Sequence, residues 1–148
     1  MREVRLGPGD ERVAHQLFVT MASVFEEAAG EPIRHAYVAR LLGSDSFWAI
    51  AAFDGQEMVG GLTAHTLPLT RAESSEIFIY DIAVRAEHRR RGVGRRLVEH
   101  LRREAAAVGI HDVFVPADDD DDAHALEFYR ALGGDPAAVT IFTFARRA

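Results

Sequence analysis

Apolar and polar positions repeat with two different periods along this chain, and the switches between them mark out its elements. Val4-Arg5-Leu6 reads as a short opening strand, closed by Gly7-Pro8-Gly9. From Asp10, a residue able to cap a helix, apolar residues including Val13, Leu17, Val19 and Phe25 support a helix to about Ala29. Gly30-Glu31-Pro32 breaks that pattern, and a second helix covers roughly Ile33 to Leu42. Phe47 to Phe53 has strand character, Asp54-Gly55 suits a hairpin turn, and Met58 to Pro68 reads as the returning strand. Beyond the polar loop Arg71 to Ser75, Ile77 to Val84 is the most apolar strand and is expected in the middle of the sheet.

A glycine-containing turn follows, then a helix to about Val108 with Leu97, Val98, Leu101, Ala105 and Val108 on one face; Gly109 stops it. Val113-Phe114-Val115 is a further strand, closed by Pro116. Five consecutive aspartates, Asp118 to Asp122, predict a loop. Ala123 to Leu132 predicts the last helix, ended by Gly133-Gly134, and Val139 to Phe144 a final strand. The order β-α-α-β-β-β-α-β-α-β describes one α/β domain over residues 1–148, without repeats, built on a mixed sheet flanked by about four helices.

Charge is distributed unevenly. The 148 residues carry a net charge of −6, yet residues 85 to 103 hold 8 of the 17 basic residues and only two acids, Glu87 and Glu99. Within that block, Arg89-Arg90-Arg91-Gly92-Val93-Gly94-Arg95-Arg96 joins the apolar strand to the amphipathic helix. Glycine lets a backbone approach a ligand closely, a helix start offers unsatisfied N–H groups, and guanidinium forks match phosphate oxygens. The turn therefore reads as a pyrophosphate site; its bland alternative is a tight turn with a solvated arginine surface. An acidic remainder around a cationic turn suits a polyanionic cosubstrate together with a cationic substrate, and argues against nucleic acid.

The composition excludes other chemistry. There is no cysteine, hence no disulfide, thiolate metal site or cysteine nucleophile, and every basic residue is arginine, so no lysine is present to form a Schiff base. Seven histidines are scattered singly with no i, i+4 pair, and no metal site is expected. No apolar run reaches the ~20 residues of a membrane span. With no signal-like pattern at the N-terminus, a cytoplasmic location is expected.

Asp81 is the most informative side chain. Strict alternation sets it on one strand face with Ile77, Ile79 and Ala83, where a hydrophobe would be expected. A carboxylate there loses hydration, which raises its pKa toward that of a general base; pairing with an arginine would make it merely structural. Tyr80 then falls on the other face with Phe78 and Ile82, lining a pocket or packing. The aspartate run, at the end of a strand, could capture a polyamine-like substrate or simply be solvated.

With these residues in place, the chain resembles the GNAT superfamily of acetyl-CoA-dependent N-acetyltransferases. The family's Arg/Gln-x-x-Gly-x-Gly/Ala signature stands as Arg89-Arg90-Arg91-Gly92-Val93-Gly94, and its Ala-x-x-Phe-Tyr-x-x-x-Gly signature as Ala125 to Gly133, with Phe128 and Tyr129 at its centre. The resemblance covers essentially the whole length and implies a mostly antiparallel central sheet. It implies that Arg89, Arg90, Arg91, Gly92, Val93, Gly94 and Arg95 cradle the pyrophosphate of acetyl-CoA. Ile82, Ala83 and Val84 would pair with the pantetheine arm, and Asp122, Phe128 and Tyr129 would complete the cofactor contacts. Asp122 stands where the family often has asparagine. Asp81 would help deprotonate the amine, backbone N–H groups near Ile82 to Val84 would steady the oxyanion, and Tyr129 would protonate the departing thiolate.

Within the superfamily the stretches Phe47 to Asp54 and Ser75 to Val84, with Glu87-His88-Arg89-Arg90, are similar to gentamicin-type aminoglycoside 3-N-acetyltransferases. That likeness implies a cationic aminosugar substrate held by Glu76, Tyr80, Asp81 and the acidic loop Asp118, Asp119, Asp120 and Asp121. A polyamine or a protein amine is the alternative substrate, and a non-catalytic CoA-binding module the alternative class. A homodimer covering an open sheet edge is expected.

Overall fold

Antiparallel pairing runs through four strands, and a short parallel fifth closes the sheet, in the order β1-β2-β3-β4-β5. The computed structural model describes residues 1–28, 30–118 and 123–147. Its elements are β1 (Arg2–Arg5), α1 (Glu11–Val24), α2 (His35–Leu42), β2 (Phe47–Asp54), β3 (Glu57–Pro68), β4 (Ser75–Val84), α3 (Val93–Ala107), β5 (Asp112–Phe114) and α4 (Ala123–Ala131). They fall into two compact units, Met1–Pro116 and Ala117–Ala148.

In the first unit the sheet is covered on both faces. Helices α1 and α2 bury Ala14, Leu17, Met21, Val38 and Leu42 against Phe47, Ala49, Ala51 and Ala83. Gly61 makes this contact possible, because a Cβ there would collide with the Leu17 side chain and the Ile50 carbonyl. Gly60 plays the same part between strands: its Cβ would strike the Ala83 carbonyl of β4. Helix α3 packs on β2, β3 and β4 with Leu97, Val98, Leu101 and Ala105 buried, as their spacing predicts. On β2, Trp48 is buried, donates from Nε1 to Thr66 Oγ1 at 2.8 Å and lies 3.5 Å beneath the Arg5 guanidinium.

Several boundaries differ from the sequence reading. Helix α1 ends at Val24 instead of near Ala29, which lies outside the described residues. The stop is a Schellman turn: Glu26 adopts φ 56°, its N–H donates to Ser23, and the Glu27 N–H donates to Ala22. Glutamate occupies a position that favours glycine, so composition gave no sign of it. Val19 is 58% exposed and takes no part in the buried stripe. Helix α2 begins two residues later than expected, at His35.

The second unit holds α4, which ends in another Schellman turn, with Gly133 at φ 91° and the Gly134 N–H donating to the Tyr129 carbonyl. The expected sixth strand, Val139 to Phe144, does not form: residues 134–147 are neither helix nor strand. A strand exists only where its backbone meets a partner ladder, and apolar character alone does not provide one. Val139, Ile141, Phe142 and Phe144 are instead 74 to 92% exposed.

Candidate active site

The site is built around an irregularity in β4. Thr63 of β3 pairs with Asp81, but its neighbour Ala64 pairs with Ile79, so Tyr80 is an extra residue opposite no partner. Such a β-bulge shifts the alternation of everything beyond it. Strict alternation therefore misplaces Asp81. Ile77 and Ile79 are fully buried, while Asp81 is only partly so, and its register row is Ala49, Thr63, Asp81, on the face covered by α1 and α2. Ile82 pairs with Leu62, away from Tyr80, whose ring instead lies 5.7 Å edge-on to Phe78.

Burial pushes the Asp81 carboxyl above its ordinary pKa, and the negative charge of Glu27 pushes it further in the same direction. Among the described residues no arginine contributes to this shift. Glu27 escaped sequence reasoning, since nothing in the sequence showed that α1 would stop in a turn pointing it toward β4. The result is a carboxylate disposed to accept a proton.

Beside Asp81, β4 has a free edge. Strand β5 pairs only with Glu76, Ile77 and Phe78, so among the described residues no strand accompanies Ile79 to Val84 on that side. Main-chain groups of Ile82 to Val84 that face away from β3 thus have no strand partner among the described residues, the Val84 carbonyl accepting instead from Arg89. Glu76 sits at the opposite end, in register with Asp112 and five positions from Asp81, roughly 16 Å at ~3.3 Å per residue.

Strand β4 leads through a short 3-10 turn, Ala86–His88, into the arginine–glycine turn. Two residues there take left-handed conformations, Arg90 at φ 62° and Gly92 at φ 79°. Gly92 is the N-cap of α3; that helix start has no side-chain cap and no acid in its first turn. Left-handed residues next to an uncapped helix start form a concave set of N–H donors, the usual seat of a phosphate. Apart from its chain neighbours, no atom of the described residues lies within 4 Å of where a Cβ on Gly92 would be, so the space above it is open. The turn thus fits the diphosphate of a CoA-type cosubstrate.

The arginines divide the work. Arg89, Arg90 and Arg91 are exposed around the turn, Arg89 donating from Nε to the Val84 carbonyl at 3.3 Å. Arg95 meets Glu99 at 3.5 Å, whereas Arg96 is drawn to β1, with Nε 3.0 Å from Glu3. His88 is buried, its Nε2 lying 3.7 Å from the Glu57 carboxylate at the start of β3. In the second unit Phe128 and Tyr129 are half-buried, their rings 5.0 Å apart, and Asp118 is exposed. Asp119, Asp120, Asp121 and Asp122 lie outside the described residues.

A mixed sheet with a bulged interior strand running into a glycine–arginine turn is the arrangement that the resemblance to the acetyltransferase superfamily implies. The profile of the Acetyltransferase (GNAT) family matches residues 14–133, and the chain belongs to that family. Members of this family use acetyl-CoA. The structure is similar to that of an aminoglycoside acetyltransferase, HMB0005, from an uncultured soil metagenomic sample, at 37% identity and TM-score 0.94, covering 99% of this chain and 98% of that one. It is also similar to meta-AAC0020, an aminoglycoside acetyltransferase from an uncultured soil metagenomic sample solved in complex with sisomicin, at 28% identity and TM-score 0.90, over 98% and 96% of the two chains. AAC(6')-Iy, in complex with a CoA bisubstrate analogue, shares the fold at 17% identity and TM-score 0.80, over 99% and 98%. No curated protein sequence matches significantly.

Proposed function

We propose that this protein transfers the acetyl group of acetyl-CoA to an amine of an aminoglycoside, at the 3-amino group, by direct attack. The observation that carries the reading is the half-buried, charge-raised Asp81 at the free edge of β4, one short turn upstream of the phosphate-type cradle. Likeness to two aminoglycoside acetyltransferases above 25% identity supports the substrate class. Both Asp81 and Glu27 favour a cation in front of them.

Bound acetyl-CoA supplies an acyl carbon activated as a thioester. The chain's own residues do the rest. Arg89, Arg90, Arg91 and the α3 start at Gly92, Val93, Gly94 and Arg95 hold the diphosphate. Ile82, Ala83 and Val84 offer main-chain hydrogen bonds to the pantetheine amides. Asp81 accepts the proton of the substrate ammonium, leaving a neutral amine as nucleophile. Tyr129, at the family's tyrosine position, returns a proton to the sulfur; this assignment rests on the motif, as do the contacts of Phe128 and Asp122. Glu76 and Asp118 to Asp121 are assigned to outlying ammonium groups of the substrate.

Release of free CoA thiol with gentamicin, kanamycin, spermidine and a generic N-terminal peptide tests the reading. Turnover confined to the aminoglycosides, with the acetyl group found on the 3-amine by NMR of the product, is the expected result. Turnover with spermidine alone would keep the chemistry and reassign the substrate to the polyamines, which the same negative charges also suit. We further propose a cytoplasmic homodimer; none of the described helices is long and apolar enough to cross a membrane, and the exposed apolar side chains at 139–144 favour self-association. Sedimentation equilibrium checks the dimer.

A further inference from the structure

The bulge that re-aims Asp81 also adds a ring to an aromatic row. Register sets Phe47 of β2, His65 of β3, Phe78 of β4 and Phe114 of β5 in one line across the sheet. Phe47 and His65 are 5.4 Å apart, and Phe78 stacks on Phe114 at 5.2 Å with an interplanar angle of 28°. Tyr80, the bulged residue, stands edge-on to two members of the row, 6.1 Å from His65 at 85° and 5.7 Å from Phe78 at 89°. Two edge-to-face contacts brace its ring. Yet Tyr80 is 63% exposed and Phe114 42% exposed. A braced ring left open to solvent, next in sequence to Asp81, is a preformed stacking surface.

The chemistry of the surroundings selects what stacks there. A pyranose has an apolar C–H face that fits a flat ring, and an aminosugar adds ammonium groups at its rim. The negative charges of Asp81, next in sequence to Tyr80, and of Glu27 attract such ammonium groups. An acyclic polyamine satisfies the carboxylates but has no flat face, and a peptide N-terminus brings a single cation. Resting on the aminoglycoside reading above, we propose that Tyr80 is a specificity-determining residue: its ring, steadied by His65 and Phe78, stacks on the sugar that carries the reacting amine and selects cyclic over acyclic amines.

The test compares kanamycin and spermidine in steady-state turnover and calorimetric binding for the wild type, Tyr80→Ala, Tyr80→Leu and Tyr80→Phe. The expected result is a rise in KM and Kd for kanamycin of roughly five- to tenfold in the alanine and leucine variants. The kcat for kanamycin falls less than its KM rises, the calorimetric affinity for spermidine changes less than that for kanamycin, and phenylalanine restores wild-type behaviour. Leucine keeps an apolar side chain at the bulge, so a loss seen in both variants is loss of the aromatic face and not of the fold. Equal effects on kanamycin and spermidine, or none on either while the wild type still acetylates kanamycin, would overturn the stacking role and leave the aminoglycoside reading intact. A wild type that turns over spermidine but not kanamycin would overturn both.

Discussion

Glu27 acts on Asp81 across the gap between the end of α1 and β4: burial lifts the Asp81 carboxyl above its ordinary pKa, and the Glu27 charge lifts it further. Two acids that repel each other destabilise the fold slightly when both are ionised. The left-handed Glu26, φ 56°, is a second local cost in the same turn.

The pair sets the pH dependence. Only the ionised carboxylate accepts a proton, so kcat/KM falls as pH drops through the raised Asp81 pKa. Replacing Glu27 with glutamine removes the repulsion and lowers that pKa toward its ordinary value. The acid limb of the profile then moves to lower pH, while burial keeps part of the elevation. Kinetics across the acid range with saturating acetyl-CoA reads the shift directly; a limb that stays in place means the charge of Glu27 does not reach the base.

Asp81→Asn removes the acceptor and preserves the shape. Turnover is expected to fall about 10²- to 10⁴-fold, with acetyl-CoA affinity unchanged. Wild-type rates in this variant would transfer the proton to another group.

Gly92→Val probes the cradle. A Cβ at Gly92 meets nothing among the described residues beyond its chain neighbours, so a loss arises from its φ of 79° and from the ligand it should face. A β-branched residue at that angle costs about 1–2 kcal/mol or turns the loop away. Acetyl-CoA affinity measured by calorimetry should weaken by at least about tenfold, with Gly92→Ala intermediate. Unchanged affinity would place the diphosphate elsewhere.

Gly61→Ala tests the packing that holds α1. Its Cβ would press on the Leu17 side chain and the Ile50 carbonyl. Overpacking of this kind costs roughly 1–3 kcal/mol, measurable by urea unfolding. Because α1 carries Glu27 at its end, the KM for a cationic amine should rise as well.

Much of this architecture was legible from pattern alone. The α3 face of Leu97, Val98, Leu101 and Ala105 obeys the helical period, and a tight hairpin turn joins β2 to β3, at Gly55-Gln56, one residue later than the Asp54-Gly55 expected. The arginine–glycine turn was readable because composition, glycine spacing and position between a strand and a helix agreed. What escaped depends on partners. The bulge is a property of two strands, since it is visible only when Ala64 is paired with Ile79 and Thr63 with Asp81. A trace of it was present: a carboxylate in frame with Ile77 and Ile79 contradicts a regular pleat, and inserting one residue removes the contradiction. Glu27 could not be read because its relation to Asp81 crosses 54 positions of sequence. Val139 to Phe144 failed as a strand for the same kind of reason, having apolar residues but no ladder.

Because Tyr80 is supernumerary in the β3–β4 register, it has no ladder partner to satisfy, and its ring meets only His65 and Phe78 among the aromatic row. Ile79 must fill the core and Asp81 must meet its row, but deleting Tyr80 would leave both in frame and every other pairing intact. Position 80 is therefore a free parameter of the scaffold. A lineage carrying this domain can exchange, enlarge or discard the side chain there, and so try new acceptors, without renegotiating the packing of the sheet.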